Sequence, residues 1–195
     1  MAKQYPEIDN RLRTFIQAQQ MFFVATAPSS DGGHVNLSPK GLESFRILAP
    51  REVAYLDYTG SGAETIAHLR QNGRITVMFC AFTGPPNIVR LHGSGCVVEP
   101  QDTDFAALVD GFRIGGHPIH PGLRSVIRIE VDRVSDSCGF GVPRFEYQEQ
   151  RPQLTAWAAK KSDADLAEYR REKNSASLDG LPTLRWLESK KEPRA

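Results

Sequence analysis

The 195-residue chain lacks most of the features that would assign it to a familiar functional class. It has three cysteines, Cys80, Cys96 and Cys138, an odd number with no C-x-x-C spacing, which argues against a disulfide framework or a structural zinc site. It has no excess of one charge. The 24 Lys and Arg against 23 Asp and Glu leave a net charge of +1, which gives no electrostatic basis for a nucleic-acid or acidic-membrane surface. No apolar run approaches the roughly 20 residues that span a bilayer. The opening MAKQYPEIDNRLRTF has no signal-like apolar stretch, so a cytoplasmic location is the default expectation. No G-x-G-x-x-G opens a helix, and no G-x-x-x-x-G-K-[ST] occurs, so the two common nucleotide signatures are missing. There is no internal repeat, no low-complexity linker and no Ser-His-Asp pattern. What is present is an ordinary globular composition, 40% hydrophobic and 24% charged, at a length that suits one domain with a core plus appendages.

Hydrophobic periodicity gives the order of elements. Ile8, Leu12, Phe15 and Ile16 share a face at helical spacing and predict a helix over Glu7–Gln20, with Pro6 in its first turn. MFFVATAP (Met21–Pro28) predicts a strand, Ser29–Gly33 a hairpin turn, and His34–Leu37 the returning strand, ending at Pro39. A strand over Glu52–Leu56, a helix over Gly62–Asn72 stopped by Gly73, and a central strand over Arg74–Ala81 follow. Ile88–Glu99 alternates well, and Gly93 and Gly95 suit a bulge or bend. A short helix over Thr103–Phe112 precedes the Gly/Pro/His loop GGHPIHPG and the cleanest alternating strand, Arg124–Ser135. The stretch from Leu154 reads as one or two polar helices, and the closing SASLDGLPTLRWLE as an apolar run that docks on the rest. About six strands, mostly hairpin-connected, with helices inserted singly, predict a mainly β, α+β architecture. The expected form is a small antiparallel barrel with peripheral helices rather than a doubly wound parallel sheet.

Two segments carry candidate chemistry. DYTGSGAET (Asp57–Thr65) is a polar, glycine-containing junction between a strand and a helix. Such a junction offers free backbone N–H groups and the positive end of a helix dipole to an anion. HVNLSPKG (His34–Gly41) supplies a lysine about twenty residues earlier. A dianionic phosphate wants a cation plus several neutral donors at a helix start, so Lys40 with the Ser61–Thr65 turn predicts a site for a phosphorylated cofactor. Read plainly, the same residues are a solvated turn and an ordinary helix cap. Arg90 reads as a rim charge or as a cation beside the cofactor. His92 reads as a satisfied strand histidine. His117 and His120 lie in a Pro-rich loop with no carboxylate or cysteine to complete a ligand set, so a structural or substrate-loop role outweighs a metal pair and a metal-dependent hydrolase. Cys80 and Cys96 read as buried fillers and Cys138 as packed at the mouth of the fold, with no base or helix start to activate it. Trp157 and Trp186 read as core or interface anchors.

The series helix, FFVATA strand, turn, VNLSPKG strand, VAYLDYT strand, helix, ITVMF strand and IVRLHGSG strand resembles the pyridoxamine 5′-phosphate oxidase-related FMN-binding split β-barrel proteins, over Tyr5 to Glu130. The resemblance implies a six-stranded antiparallel split β-barrel over residues 1–150. A C-terminal helical extension over 151–195 would pack on the barrel or on a partner subunit. It implies a homodimer with FMN in clefts between subunits. In that pattern Lys40 matches the lysine that closes the second strand near the flavin phosphate, Tyr58 and Thr59 match a Tyr-Thr pair, and Arg90 matches an arginine after the Pro-rich turn. The family's arginine on the second strand falls near Val35 and is absent. Its Ser-Arg-Lys phosphate clamp is replaced by Ala63-Glu64-Thr65, and the C-terminal Arg-His substrate signature is missing, Arg185-Trp186 being a different pattern. SCGFGVP (Ser137–Pro143) and NSASLDGLP (Asn174–Pro182) look like features of a subgroup. The expected cofactor residues are therefore Lys40, Tyr58, Thr59, Ser61, Thr65 and Arg90. The expected function is an FMN-dependent oxidoreductase acting on a small organic substrate, with reduced nicotinamide or the substrate as electron source. The alternative is a flavin-, deazaflavin- or haem-binding protein of the same fold without turnover.

Overall fold

A computed structural model describes residues 3–188. The N-terminal strand β1 (Lys3–Tyr5) leads to helix α1 (Asn10–Gln17), which starts at Asp9 because the Asp9 carboxylate accepts the Leu12 N–H at 2.7 Å. Pro6 lies ahead of that cap rather than in the first turn, and the helix, which ends at Gln17, is shorter at both ends than its apolar period suggests. Strands β2 (Phe22–Thr26) and β3 (Asn36–Lys40) form the expected hairpin. A tight turn then starts β4 (Phe45–Ala49), and β5 (Glu52–Tyr58) returns antiparallel to it. Helix α2 (Glu64–Asn72) ends at Gly73 in the left-handed conformation (φ 72°). Strands β6 (Arg74–Cys80) and β7 (Ile88–Val98), helix α3 (Phe105–Ile114) and the long strand β8 (Leu123–Ser137) complete the sheet. Helices α4 (Gln153–Ala159), α5 (Asp163–Lys173) and α6 (Arg185–Glu188) follow.

The mixed α and β composition matches expectation, but the barrel does not. The sheet has eight antiparallel strands in the order β3-β2-β6-β7-β8-β5-β4, with β1 added on β8. Closure would require a β3–β4 ladder, and among the described residues none exists: these two strands are the open edges. Pro39 within β3 lacks a ladder N–H, which suits an edge position. Across the opening, β3 reaches the start of α2 instead, where the Asn36 amide donates to Thr65 Oγ1 at 3.0 Å. The two strands not anticipated are β1, three residues long and polar, and β4, which is short and stops at Pro50.

Each face of the sheet carries a core. On one, Val24, Tyr55, Phe79, Leu91, Ile127 and Ile129 pack with Leu12, Ile16 and Ile66 of α1 and α2. On the other, Ala54, Leu56 and Val126 meet Val109 and Phe112 of α3. Strand β5 is thus buried on both faces, as near-continuous apolar runs are. The pairing of β7 with β8 shifts register between His92 and Gly93, and a Cβ on Gly93 would stand 2.0 Å from the Glu130 carbonyl oxygen. Only glycine fits there, so the bulge anticipated from the sequence occurs at Gly93. The closing apolar run does dock: Leu184 is fully buried in the larger core, with Trp186 and Leu187 packed against it. Burial of such a leucine contributes about 1.5–3 kcal/mol.

Candidate functional site

The end of β3, the end of β5 and the uncapped start of α2 converge on a cavity of about 310 Å³. The residue before α2 is Ala63, which offers no side chain to the first helical N–H groups, so the usual side-chain cap is missing at the cavity wall. Lys40, Tyr58, Ser61 and Thr65 line this cavity together, with Ser38, Asp57 and Arg124. The Ser38 hydroxyl is buried there with no hydrogen-bond partner among the described residues. A buried donor left open in this way is an unmet hydrogen-bonding demand at the wall of a cavity.

Asp57 organises the charge. It is 2% exposed; Arg124 Nε donates to its Oδ2 at 2.7 Å and Ser125 Oγ at 3.0 Å, and Lys40 Nζ stands 3.9 Å from Oδ1. Burial by itself would push the Asp57 carboxyl up; Arg124, Lys40 and these hydrogen bonds outweigh it and hold the carboxyl below its ordinary value. Burial pushes the Lys40 ammonium down, Asp57 offsets part of that, and Arg124 adds to the lowering. With Asp57 spent on Arg124, Lys40 remains the cation at the mouth. Glu64, which replaces a family cation at this helix start, is turned to other use: both its carboxylate oxygens accept the Leu178 N–H at 3.1 Å.

Two of the anticipated residues stand elsewhere. Thr59 is buried behind the cavity, its hydroxyl donating to Gly122 O at 2.7 Å and accepting from Arg170 Nε at 2.9 Å. Arg90 is on β7 and donates to Ser137 Oγ at 3.0 Å, away from the cavity lining. Tyr58 keeps its ring at the wall, while its hydroxyl accepts the His120 N–H at 3.2 Å and donates to Pro118 O at 3.3 Å. The HPIHP loop therefore packs on Tyr58, whereas His117 donates from Nδ1 to Glu43 O at 2.8 Å. His92 Nδ1 pairs with Thr76 Oγ1 at 3.1 Å, a satisfied strand histidine. Cys80 is buried as expected, but Cys96 and Cys138 are exposed: Cys96 falls on the outward side of β7 beyond the Gly93 bulge.

The family model for pyridoxamine 5′-phosphate oxidase matches residues 8–138. The chain belongs to this family. The pyridoxamine 5′-phosphate oxidase family protein ustO of Aspergillus flavus is 43% identical over 195 residues, covering 92% of this chain and 77% of that protein. Two crystal structures of HupZ from Group A Streptococcus superpose with TM-scores of 0.54 and 0.52, each at 21% identity. They cover 67% and 65% of this chain and 99% and 91% of theirs, a likeness of fold alone.

Within this family member, sequence reasoning passed over Asp57, Arg124 and Asn174 as site residues. The Arg124 guanidinium bridges Asp57 and Asn174 Oδ1, the latter at 2.7 Å, and Asn174 Nδ2 reaches Gly60 O at 3.0 Å. One signal was present: a carboxylate closing the apolar run VAYLD needs a buried cation, and an arginine opens the apolar strand RSVIRIEV. Beside the polar cavity lies a larger groove of about 1040 Å³ that shares Pro39, Lys40, Gly41, Leu42 and Leu154 with it. Its walls are mostly apolar, among them Met21, Phe23, Phe82 and Phe145.

Proposed function

We propose that this protein binds FMN and works as an oxidoreductase on a small organic substrate, as a homodimer, taking electrons from reduced nicotinamide or from the substrate. The observation that carries the reading is a pair of adjacent cavities: a small polar one with a lysine, hydroxyls and an uncapped helix start, sharing the Pro39–Leu42 wall with a larger apolar one. That is the division of chemistry in a phosphorylated ribityl chain ending in a flat aromatic ring system. The unpartnered Ser38 hydroxyl, Lys40, Ser61 and the first N–H groups of α2 would hold the phosphate, and the apolar groove would take the ring. Bound there, FMN would supply hydride transfer, so the protein needs no acid–base pair of its own for the redox step. Lys40 would hold charge at the phosphate and the Phe-lined groove would exclude water from the ring.

A second reading, binding of flavin, deazaflavin or haem without turnover, is favoured by Glu64, an acid where the family carries clamp cations. The absorption spectrum of the purified protein tests both. A flavin spectrum bleached by reduced nicotinamide supports the enzyme, a flavin spectrum that persists supports the binding protein, and a Soret band indicates haem. Lys40→Ala is expected to weaken FMN binding by about 1.5–3 kcal/mol, the scale of a charge-assisted hydrogen bond, read by quenching of flavin fluorescence. An unchanged affinity would remove Lys40 from the phosphate site.

A further inference from the structure

A third cavity, of about 560 Å³, lies between α1, β4 and the C-terminal end of α3; it meets the two flavin cavities only along Gln19, Gln20, Gly41 and Ser44, and the flavin reading uses none of its other lining residues. Its floor is apolar, formed by Ile16 and Ile47 with Phe22, Phe45 and Phe79, whose rings contact one another at centroid distances of 4.9–5.8 Å. Two arginines stand above that floor, Arg13 from α1 and Arg46 from β4. Neither side chain has a hydrogen bond or ion pair among the described residues, and Arg46 Nη1 is fully buried without a partner. Among the described residues the one carboxylate at the lining is that of Glu43, a turn residue with φ 51°.

The fold makes room for the Arg46 guanidinium specifically. A Cβ on Gly115 would stand 2.9 Å from Arg46 Cζ and 3.0 Å from Nη1, so the guanidinium packs against bare backbone at the end of α3. It does not cap that helix: the carbonyls of Phe112 and Arg113 already accept the N–H groups of His117 and Gly116 at 3.0 and 2.9 Å. A guanidinium with no acceptor among the described residues is an unmet set of donors at the cavity wall, which an acceptor entering the cavity can use through the nitrogens that face it.

We propose that this cavity is a ligand site for a small organic monoanion, a carboxylate carried on an apolar or aromatic body. Two guanidinium groups against one glutamate leave a single positive charge, which matches a monoanion. The planar fork of Arg46 matches a carboxylate in two-point contact, and the phenylalanine floor matches the body behind it.

Isothermal titration calorimetry of the full chain with benzoate, and with its neutral analogue benzamide, tests this. Benzoate is expected to bind at one site and at least tenfold more tightly than benzamide. Arg46→Met should lower benzoate affinity at least tenfold, and Gly115→Ala, which drives a methyl group into the guanidinium, should lower it in the same direction. Lys40→Ala, in the other cavity, should leave benzoate affinity unchanged, so failure here and failure of the flavin site are read separately. Equal binding of benzoate and benzamide, wild-type affinity in Arg46→Met, or loss of benzoate in Lys40→Ala would each overturn the assignment.

Discussion

Asp57 and Arg124 show how one pair of side chains ties stability to the site. Both are almost fully buried, and each is the other's principal charge partner. Such a pair adds little net stability relative to an apolar replacement, yet breaking it is expensive because the survivor is left charged and dry. Asp57→Asn is therefore expected to cost about 3–5 kcal/mol, measured by urea denaturation at neutral pH. The folded-state pKa of Asp57 is depressed, so its contribution is complete above the unfolded value of about 3.9 and is lost as pH falls through the lower folded value. Asp57→Asn should remove that part of the acid limb. Lys40 runs the other way: burial lowers its pKa, so FMN affinity should fall as pH rises through a value below the usual 10.5. Lys40 and the hydroxyl turn were legible in the sequence because both are local patterns. The Arg124 partnership was not, since it joins positions 67 residues apart and only the β5–β8 pairing brings them together.

At the scale of elements, the β3–β4 turn is the least expected piece of backbone. Leu42 and Glu43 have φ of 60° and 51°, with the Ser44 N–H bonded to Gly41 O at 3.3 Å. Two successive left-handed residues form the tight turn that normally takes Asn-Gly. That is why β4 escaped a reading based on turn signals: Leu-Glu announces no turn. Gln150 helps hold the strained loop, its Oε1 accepting the Leu42 N–H at 3.0 Å while its Nε2 donates to Gln20 O at 3.0 Å. Since Leu42 lines both the polar cavity and the apolar groove, the strain coincides with the proposed flavin site. Replacing Leu42-Glu43 with Asn-Gly is expected to raise stability by about 1–2 kcal/mol in urea denaturation, and to lower FMN affinity through loss of the Leu42 side chain. The opposite case is Gly93. Its role was legible, because a glycine in a clean alternating strand signals a bulge, and Gly93→Ala should destabilise by about 1–3 kcal/mol.

Over the whole molecule, the segment after residue 151 bears on how many units fold. The order of predicted elements and the family resemblance suggested a barrel followed by a helical extension, and the polar periodicity of α4 and α5 gave no sign of where they attach. The segment is attached by long-range contacts, invisible to local pattern, among them Arg170 to Thr59, Asn174 to Arg124 and Gly60, Leu178 to Glu64, Arg185 to Glu99, and Leu184 in the main core. If those contacts make the extension part of the same cooperative structure, it cannot unfold while the sheet survives. Both tryptophans, Trp157 in α4 and Trp186 in α6, lie in this segment, whereas the strands lie outside it. Tryptophan fluorescence therefore reports the extension alone, and far-UV circular dichroism the secondary structure of the whole chain, sheet and helices together. The two transitions in urea are expected to coincide, as all-or-none unfolding requires. Leu184→Ala, at an expected cost of about 2–5 kcal/mol, should move both to lower urea together. A fluorescence transition that precedes the dichroism transition in that variant would show the extension to be a separate unit resting on the sheet, and would detach Asn174 and Arg170 from any part in holding the site.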